Sequence, residues 1–278
     1  DRLKTDAGEW LVYRSTEVAQ FSASLLPGII NAAVMALPAP KRMRWSDLDY
    51  EFVRPVRWLT AIFGANTLEC EVMGLTASNT THGHRFHCPE PITVSAPREY
   101  ARVLEQQGFV IADFAERRKR IEADVRAVAQ AEGGNVVIAE DLHDEVTALT
   151  EWPVAIAGSF DEAFLQVPDA ALIATMKANQ KYFHLTDENG KLLPAFITVA
   201  NLRSSNPLSV RHGNERVIRP RLADAQFFYQ TDLKQPLANR LAGLESVVFQ
   251  RQLGSVADKS QRISELAVHV AAALGADT

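Results

Sequence analysis

The chain has 278 residues, 47% hydrophobic and 23% charged, so it can bury one large core or two smaller ones and is not a disordered protein. Its formal charge of −5 excludes a generic nucleic-acid coat and requires any polyanion site to be a local basic patch. Two cysteines, Cys70 and Cys88, are too few for a disulfide scaffold and indicate a reducing, cytoplasmic compartment, while polar residues interrupt every long apolar run, so no membrane span is predicted. The chain begins with Asp1 rather than Met, and we expect a piece cut from the middle of a longer protein.

The first eighty residues predict a strand, a helix and a hairpin. Residues 10–18 are rich in aromatic and β-branched side chains and predict the strand. The helix runs through Ala36 to a pair of closely spaced prolines. Residues 59–63 and 68–73 predict two further strands, joined by a turn at residues 64–66.

The middle of the chain predicts a mainly helical insertion over residues 83–152. We expect Ser95 to cap a short helix that ends at Gln107, followed by helices over residues 112–132 and 139–150. Charges of alternating sign recur at helical spacing in the longer helix, which indicates a solvated amphipathic surface.

Strand character returns at Val154 and predicts a β-α-β-β order. The predicted elements are a strand over 154–160, a helix over 169–179, and strands over 182–186 and 196–200 around a turn at 187–190. After Asn214 the pattern is helical, with an apolar repeat of 3.6 residues over 237–249 and 259–274.

Together these elements predict the α+β class. The predicted organisation is a mixed α/β domain formed by residues 1–82 and 153–232, the helical insertion of residues 83–152, and a helical C-terminal segment of residues 233–278.

The only dense cluster of metal-ligand residue types lies at residues 82–88 and consists of His82, His84, His87 and Cys88. Its spacing matches no usual structural zinc site, so we predict no metal. We interpret residues 83–86 as a tight polar turn whose Arg85 contacts a carboxylate or a phosphate.

The common nucleotide-binding and catalytic motifs are absent from the sequence. It has no phosphate-binding loop, no dinucleotide fingerprint, no zinc-protease motif and no nucleophile elbow. We therefore predict no catalytic residue in this chain and interpret the acidic residues of segment 140–145 as helix surface.

Residues 176–183 place two lysines, two amides and two aromatic side chains at the end of a predicted helix and the start of a strand. Lys177 and Lys181 could neutralise RNA phosphates while Tyr182 or Phe183 stacks on an unpaired base. Equally, the lysines could stabilise the helix C-terminus while the aromatic residues alternate between surface and core.

Residues 213–232 pass from a cationic run into an apolar, aromatic one. Arg216, Arg219 and Arg221 lie at the edge of a segment whose apolar half could anchor it in a core. The alternative is a solvated face on which these arginines pair with Glu215, Asp224 and Asp232.

A set of collinear motifs covers most of the chain. They occupy residues 8–14, 40–45, 52–56, 83–86, 151–154, 176–177 with 180–183, 196–197 with 199–201, 213–215 with 219–225, and 249–250 with 252–254. In these motifs the chain resembles the β subunit of the bacterial heterotetrameric glycyl-tRNA synthetases. The order and number of the motifs make the resemblance highly specific.

The resemblance implies the amino-terminal half of a subunit of an α2β2 glycine-tRNA ligase in the cytoplasm. In that family the α subunit carries the chemistry with glycine, ATP and Mg, so no cofactor is expected here, and the β subunit is needed to bind tRNA(Gly). The family's HD-type and anticodon-binding domains are expected to follow residue 278.

The candidate tRNA contacts are Lys177, Lys181, Arg216, Arg219, Arg221 and Arg85. Two alternatives stay open: the same motifs could form a scaffold at the α–β interface, since arginine is favoured in interfaces, or the chain could carry an editing hydrolase.

Overall fold

The computed structural model describes residues 1–13, 15–16 and 19–277. Helices and strands are both abundant along this part of the chain, which confirms the α+β class. Internal contacts divide the chain into two compact units, residues 1–117 and residues 118–278. The domain boundaries predicted from the sequence stay a prediction.

The first unit is built from short antiparallel hairpins and two helices. Its elements are β1 (Arg2–Thr5), β2 (Gly8–Leu11), α1 (Ser22–Met35), β3 (Met43–Arg44), β4 (Glu51–Phe52), β5 (Ile62–Phe63), β6 (Asn66–Thr67), β7 (Glu71–Val72), β8 (Leu75–Thr76), β9 (Thr80–His82), β10 (Pro91–Thr93), a 3-10 turn (Pro97–Glu99) and α2 (Tyr100–Gln106). Each strand pairs with its neighbour in the chain, from β1 with β2 to β9 with β10.

One small core of this unit surrounds Cys70, Val72 and Met73, and α1 packs against it. Asn31 of α1 donates a hydrogen bond to the backbone carbonyl of Glu71, at 2.8 Å, which ties the helix to the start of β7. Because the described strands of this unit are two to four residues long and form only two-stranded sheets, loops and helix ends form much of its surface.

One prediction for the start of this unit holds and one holds only in part. The first helix ends at Met35, which confirms the predicted stop. The strand predicted over residues 10–18 is β2, which ends at Leu11; Arg14, Glu17 and Val18 lie outside the described residues.

The strand predicted over residues 68–73 is confirmed only at Glu71–Val72, which is β7 and pairs with β8. The hairpin turn lies where it was predicted, but the returning strand is only Asn66–Thr67. Met73 and Gly74 both have positive φ, 52° and 75°, and reverse the chain after Val72 into the next hairpin.

Ser95 does not cap the short helix. Ala96 stands before the 3-10 turn without a side-chain hydrogen bond, and Pro97 occupies the first helical position. Proline there supplies the helical φ, and its missing N–H is one that would have no partner at a helix start.

The second unit contains the principal sheet. Helix α3 (Phe114–Ala131) runs across the boundary between the units, and the elements after it are β11 (Asn135–Val136), α4 (Glu140–Leu149), β12 (Val154–Ser159), a 3-10 turn (Glu162–Gln166), α5 (Asp169–Gln180), β13 (Phe183–Thr186), β14 (Leu192–Ala200), α6 (Pro207–Leu233), a 3-10 segment (Leu237–Ser246), β15 (Val248–Gln250), β16 (Gly254–Ser255) and α7 (Val256–Leu274). The predicted helices over 112–132, 139–150 and 169–179 and the β-α-β-β order are confirmed.

The sheet is antiparallel, in the order β11-β13-β14-β12, and helices cover both of its faces. Side chains of α3 and α4 pack with Phe183, Leu185 and Ile197 on one face. Side chains of α5 and α6 pack with Leu192 and Phe196 on the other. Neighbouring residues of β14 thus point to opposite faces, as the period of two in a strand requires.

The helix predicted over residues 237–249 is confirmed only in part, because its helical residues, Leu237–Ser246, are of the 3-10 type and not α-helical. That segment forms 3-10 turns and then β15, which pairs with β16. Gly254, with a φ of 82°, lies at the end of this hairpin and leads into α7. Helix α7 confirms the last predicted helix but begins earlier, at a capping box in which Ser255 and Asp258 bond each other's backbone N–H.

The described helices include none that is both long and apolar enough to cross a membrane.

Candidate nucleic-acid interface

Helix α6 is anchored by one apolar edge. Ile218 and Leu222, one turn apart, are fully buried in the core that α6 shares with α5. The helix begins at Asn206, whose side-chain oxygen accepts the Ser209 N–H at 3.2 Å. The remaining circumference of the helix lies towards solvent.

Polar contacts fix how α6 is rotated about its axis. Glu215 Oε1 accepts hydrogen bonds from Arg211 Nε at 2.9 Å and from the N–H and hydroxyl of Ser159 at 3.0 and 3.1 Å. Burial raises the pKa of Glu215, but these hydrogen bonds and the charge of Arg211 outweigh it, so its pKa lies below its ordinary value. The carboxylate therefore remains charged at neutral pH and holds α6 against the end of β12.

Asn214, the preceding residue, fixes the same helix to the strand after α5. Its Oδ1 accepts a hydrogen bond from the Tyr182 hydroxyl at 2.6 Å, and its Nδ2 donates to the carbonyl of Val210 at 2.8 Å. The motif at residues 213–215 is therefore an attachment of the helix rather than a binding surface.

Arg216, Arg219 and Arg221 are exposed on α6. In the described part of the chain none of the three makes an ion pair or a side-chain hydrogen bond. Arg216 and Arg219 are three residues apart and share one side of the helix, whereas Arg221 projects from another. They give α6 a cationic surface, because no carboxylate of the described residues pairs with any of the three guanidiniums.

The alternative in which these arginines pair on a solvated face is wrong. Glu215 is bound by Arg211 and Ser159, and Asp232 pairs with Arg240 at 3.1 Å. Glu215 and Asp232 are thus engaged by other residues, and Asp224 is exposed and has no ion pair within the described residues. The Arg211–Glu215 pair has the spacing of four residues that sequence can reveal, whereas the contacts from Ser159, on a strand, and from Arg240, beyond the end of the helix, depend on the fold.

Lys177 and Lys181 lie at the C-terminal end of α5 and are neutralised within the protein. Lys177 pairs with Asp141 at 2.7 Å and Lys181 with Glu145 at 2.9 Å, both on α4. Lys181 has a positive φ of 59°, the left-handed conformation that ends many helices. An RNA phosphate that reached these lysines would have to compete with the α4 carboxylates.

The aromatic residues next to these lysines do not offer a face to a base. Tyr182 and Phe183 are 2% and 0% exposed. Tyr182 stacks on Phe196, with ring centroids 4.4 Å apart and planes inclined by 10°. Both the stacking interpretation and the expected alternation between surface and core are therefore wrong, because the two side chains enter the cores on opposite faces of the sheet.

The burial of Tyr182 predicts a dependence of stability on alkaline pH. Burial raises the pKa of Tyr182 to about 12, above its ordinary value of 10. The neutral hydroxyl is thus favoured in the folded state, so its stabilising contribution is complete below pH 10 and is lost as the pH rises towards 12. Denaturant unfolding at pH 8, 10 and 11 should show this decline, and Tyr182→Phe should make it shallower. An identical decline in both proteins would contradict the assignment.

Arg85 lies in the first unit, on an exposed turn, and has no recorded partner within the residues described. The turn is built by its neighbour His84, which is buried and whose Nδ1 accepts the N–H groups of Phe86 and His87 at 3.3 and 3.4 Å. The His84 N–H donates to the carbonyl of Gly108 at 2.7 Å. The predicted tight polar turn is confirmed, whereas a ligand for Arg85 stays a prediction.

The histidine cluster of this turn has a structural role. Rings of His84 and His87 lie 4.7 Å apart, and His87 also meets Phe109 at 5.1 Å. Across the described residues no three His, Cys, Asp or Glu side chains converge in a way that would hold a metal ion.

The first unit contains a groove that the sequence did not predict. It has a volume of about 420 Å³ and is lined mainly by apolar and aromatic side chains, namely Trp58, Leu59, Ile62, Val94, Pro97 and Tyr100. One sequence pattern could have predicted it: Trp58 lies close to Arg54 and Arg57 in a segment that contains no acidic residue, a combination typical of nucleic-acid contacts.

Comparison with known proteins identifies similar chains. A family model described as glycyl-tRNA synthetase beta subunit matches residues 1–278. The glycine–tRNA ligase beta subunit of Marinobacter nauticus is 52% identical over all of this chain and 40% of its own length. Those of Hahella chejuensis and Chromohalobacter salexigens are 52% and 53% identical over 98% and 99% of this chain, and 39% and 40% of their own. The chain therefore spans about 40% of the length of these curated relatives.

Proposed function

Because the chain belongs to the glycyl-tRNA synthetase beta subunit family, we propose that it binds and positions tRNA(Gly) for a glycine-tRNA ligase. The family assignment confirms the resemblance found in the sequence. In the proposed assembly, a cytoplasmic α2β2 tetramer, the α subunit uses ATP and Mg to activate glycine. This chain takes no part in bond making; it holds the RNA so that the acceptor end reaches the α subunit.

The cationic surface of α6 is the observation that carries the proposal. Three permanently charged guanidiniums stand on a helix whose position is fixed by its buried edge and by Glu215 and Asn214. Arginine contacts to phosphates fix the register and orientation of a nucleic acid without reading its sequence. Rigid support matters for this role, because an acceptor end displaced by about 1 Å can slow a reaction roughly a hundredfold.

Neutralising the three arginines tests the proposal. The Arg216→Gln, Arg219→Gln, Arg221→Gln variant of the full-length β subunit, assembled with the α subunit, should bind tRNA(Gly) roughly tenfold more weakly. The slope of log affinity against log salt concentration should become less negative by about 2 to 3, since each phosphate contact in a duplex contributes about −0.9 to that slope. Binding is measured by fluorescence anisotropy between 50 and 200 mM salt.

Arg126→Gln supplies the matched control. Arg126 lies on α3 and pairs with Glu122 at 2.8 Å, so its loss removes one positive charge from a neutralised site. The control should leave affinity and salt dependence near those of the wild type. A triple variant that also keeps the wild-type affinity and slope would refute the proposed role of α6.

A contact with the α subunit is the second candidate function of α6, and a specific observation favours it. Phe227 and Phe228 are 61% and 64% exposed, with ring centroids 5.7 Å apart. Exposed aromatic pairs are frequent at the centres of protein interfaces. If Phe227→Ala with Phe228→Ala abolishes co-purification of the α subunit while β still binds tRNA, α6 is an interface helix.

A further inference from the structure

The groove beside Trp58 has the form of a binding site within the first unit. Trp58 and Tyr100 are 44% and 40% exposed, and Pro97 with the aliphatic side chains of Leu59 and Val94 completes the lining. The ring of His82 lies 4.6 Å from that of Trp58, at an angle of 51°, and supports the indole from one side. The lining thus combines two accessible aromatic rings with aliphatic side chains.

The composition of the groove favours a planar aromatic ligand. Its volume of about 420 Å³ is in the range of small-ligand sites and would admit one nucleotide. Its polar lining residue is Thr60, whose hydroxyl is already bonded to the carbonyl of Thr80 at 2.5 Å. Its two exposed aromatic rings would bind a base by stacking, a mode that tolerates different bases.

The charge around the groove selects a ligand that carries a phosphate. The segments that form it, residues 54–62 and 92–100, contain Arg54, Arg57, Arg98 and one acid, Glu99, whose carboxylate lies 3.9 Å from Arg98. Arg54 and Arg57 are exposed, and within the described residues neither has an ion pair. Hydrogen bonds from Arg102, together with its charge, lower the pKa of Glu99 and hold its carboxylate. A proline-rich peptide would suit the aromatic walls but offers no anion to the arginines, whereas a nucleotide satisfies both.

We propose that this groove binds one unpaired nucleobase of the tRNA, stacked on Trp58 and Tyr100, with a neighbouring phosphate at Arg57. The proposal rests on the tRNA-binding function proposed above. It adds a second contact of a different kind, in which the RNA is held by an aromatic face and not by charge alone.

Substitution of the groove aromatics in the assembled α and β subunits tests the inference, with tRNA(Gly) transcript as the probe. Trp58→Ala should weaken binding about tenfold, the effect of one lost base stack, while the salt dependence stays that of the wild type. Trp58→Phe should recover most of the affinity, because it restores an aromatic face. Tyr50→Ala, which removes a partly exposed tyrosine of the same unit outside the groove, should have no effect.

Crosslinking of the wild-type enzyme tests the inference without any substitution, so misfolding of a variant cannot affect the result. A tRNA(Gly) transcript in which 4-thiouridine replaces uridine should crosslink under ultraviolet light to a peptide that contains Trp58 or Tyr100. Wild-type affinity in both Trp58→Ala and Tyr100→Leu, or the absence of such a crosslink, would overturn the inference and leave the α6 proposal intact. Loss of α-subunit co-purification with unchanged tRNA affinity would also overturn it and assign the groove to protein. Conversely, an unaffected arginine triple variant together with a crosslink at Trp58 would reject α6 and keep the groove.

Discussion

Replacing Phe196 with alanine is expected to lower the free energy of opening of the principal sheet by about 3–5 kcal/mol. Its side chain is 0% exposed, and its ring stacks on Tyr182 with centroids 4.4 Å apart. The other side of the ring lies directly against Gly158, where even a β-carbon would collide with it. Truncation therefore leaves a cavity whose walls include the backbone of a paired strand, and such a cavity cannot collapse easily.

Hydrogen exchange of the β12 and β14 amides in the intact β subunit measures this effect, because a chain with two compact units need not unfold in one step with a single free energy. Phe227→Ala is the matched control: it removes the same ring from a position that is 61% exposed, and it should cost well under about 1 kcal/mol. Similar losses of protection in the two variants would show that Phe196 does not hold this core.

Gly83→Ala is the second large effect, and we expect it to destabilise the first unit by about 1–3 kcal/mol. A β-carbon on Gly83 would lie 2.5 Å from the carbonyl oxygen of Gly108 and 2.6 Å from its α-carbon. Both are backbone atoms, so no side chain can rotate away. The variant must lengthen the 2.7 Å hydrogen bond from His84 to Gly108 and displace the turn that carries Arg85.

Gly28→Ala is expected to stabilise the same unit, the opposite of the effect of Gly83→Ala. Gly28 lies within α1 with no atom near its virtual β-carbon, so alanine there should stabilise the helix by about 0.5–1 kcal/mol. Thermal unfolding of the two β-subunit variants, with exchange of the His84 amide, measures both changes. A Gly83→Ala protein with a wild-type exchange rate at His84 would refute the close approach of the two backbones.

The parts of the fold that the sequence predicted are those with a strong local pattern. Helices α3, α4 and α5 have apolar residues at helical spacing, and the turn at residues 187–190 follows an alternating strand and precedes a mostly apolar one. The elements confirmed only in part are those whose secondary structure depends on contacts between residues far apart in the sequence. Residues 237–249 have a helical apolar repeat, yet Val248 and Gln250 pair with β16 and the chain before them forms 3-10 turns.

The candidate site was predicted as residue types and not as an arrangement. The exposure of Arg216, Arg219 and Arg221 agrees with the sequence reading, but the neutralisation of Lys177 and Lys181 required α4 to pack beside the end of α5. The groove at Trp58 joins side chains from residues 58 to 100, a separation that no local pattern encodes. Burial of Tyr182 likewise depends on the antiparallel partner strand that brings Phe196 to it.

The register of the sheet has a consequence for the order of events during synthesis. Val154 pairs with Ala200, and Ser159 with Ala195. Strand β12 therefore cannot pair with β14 until α5 and β13, which lie between them in the chain, have been synthesised. Because α6 follows β14 in the chain, all four strands of the sheet are synthesised before it. The basic helix is thus the last element of this core to leave the ribosome, and the strands that support its cationic surface are already available when it does.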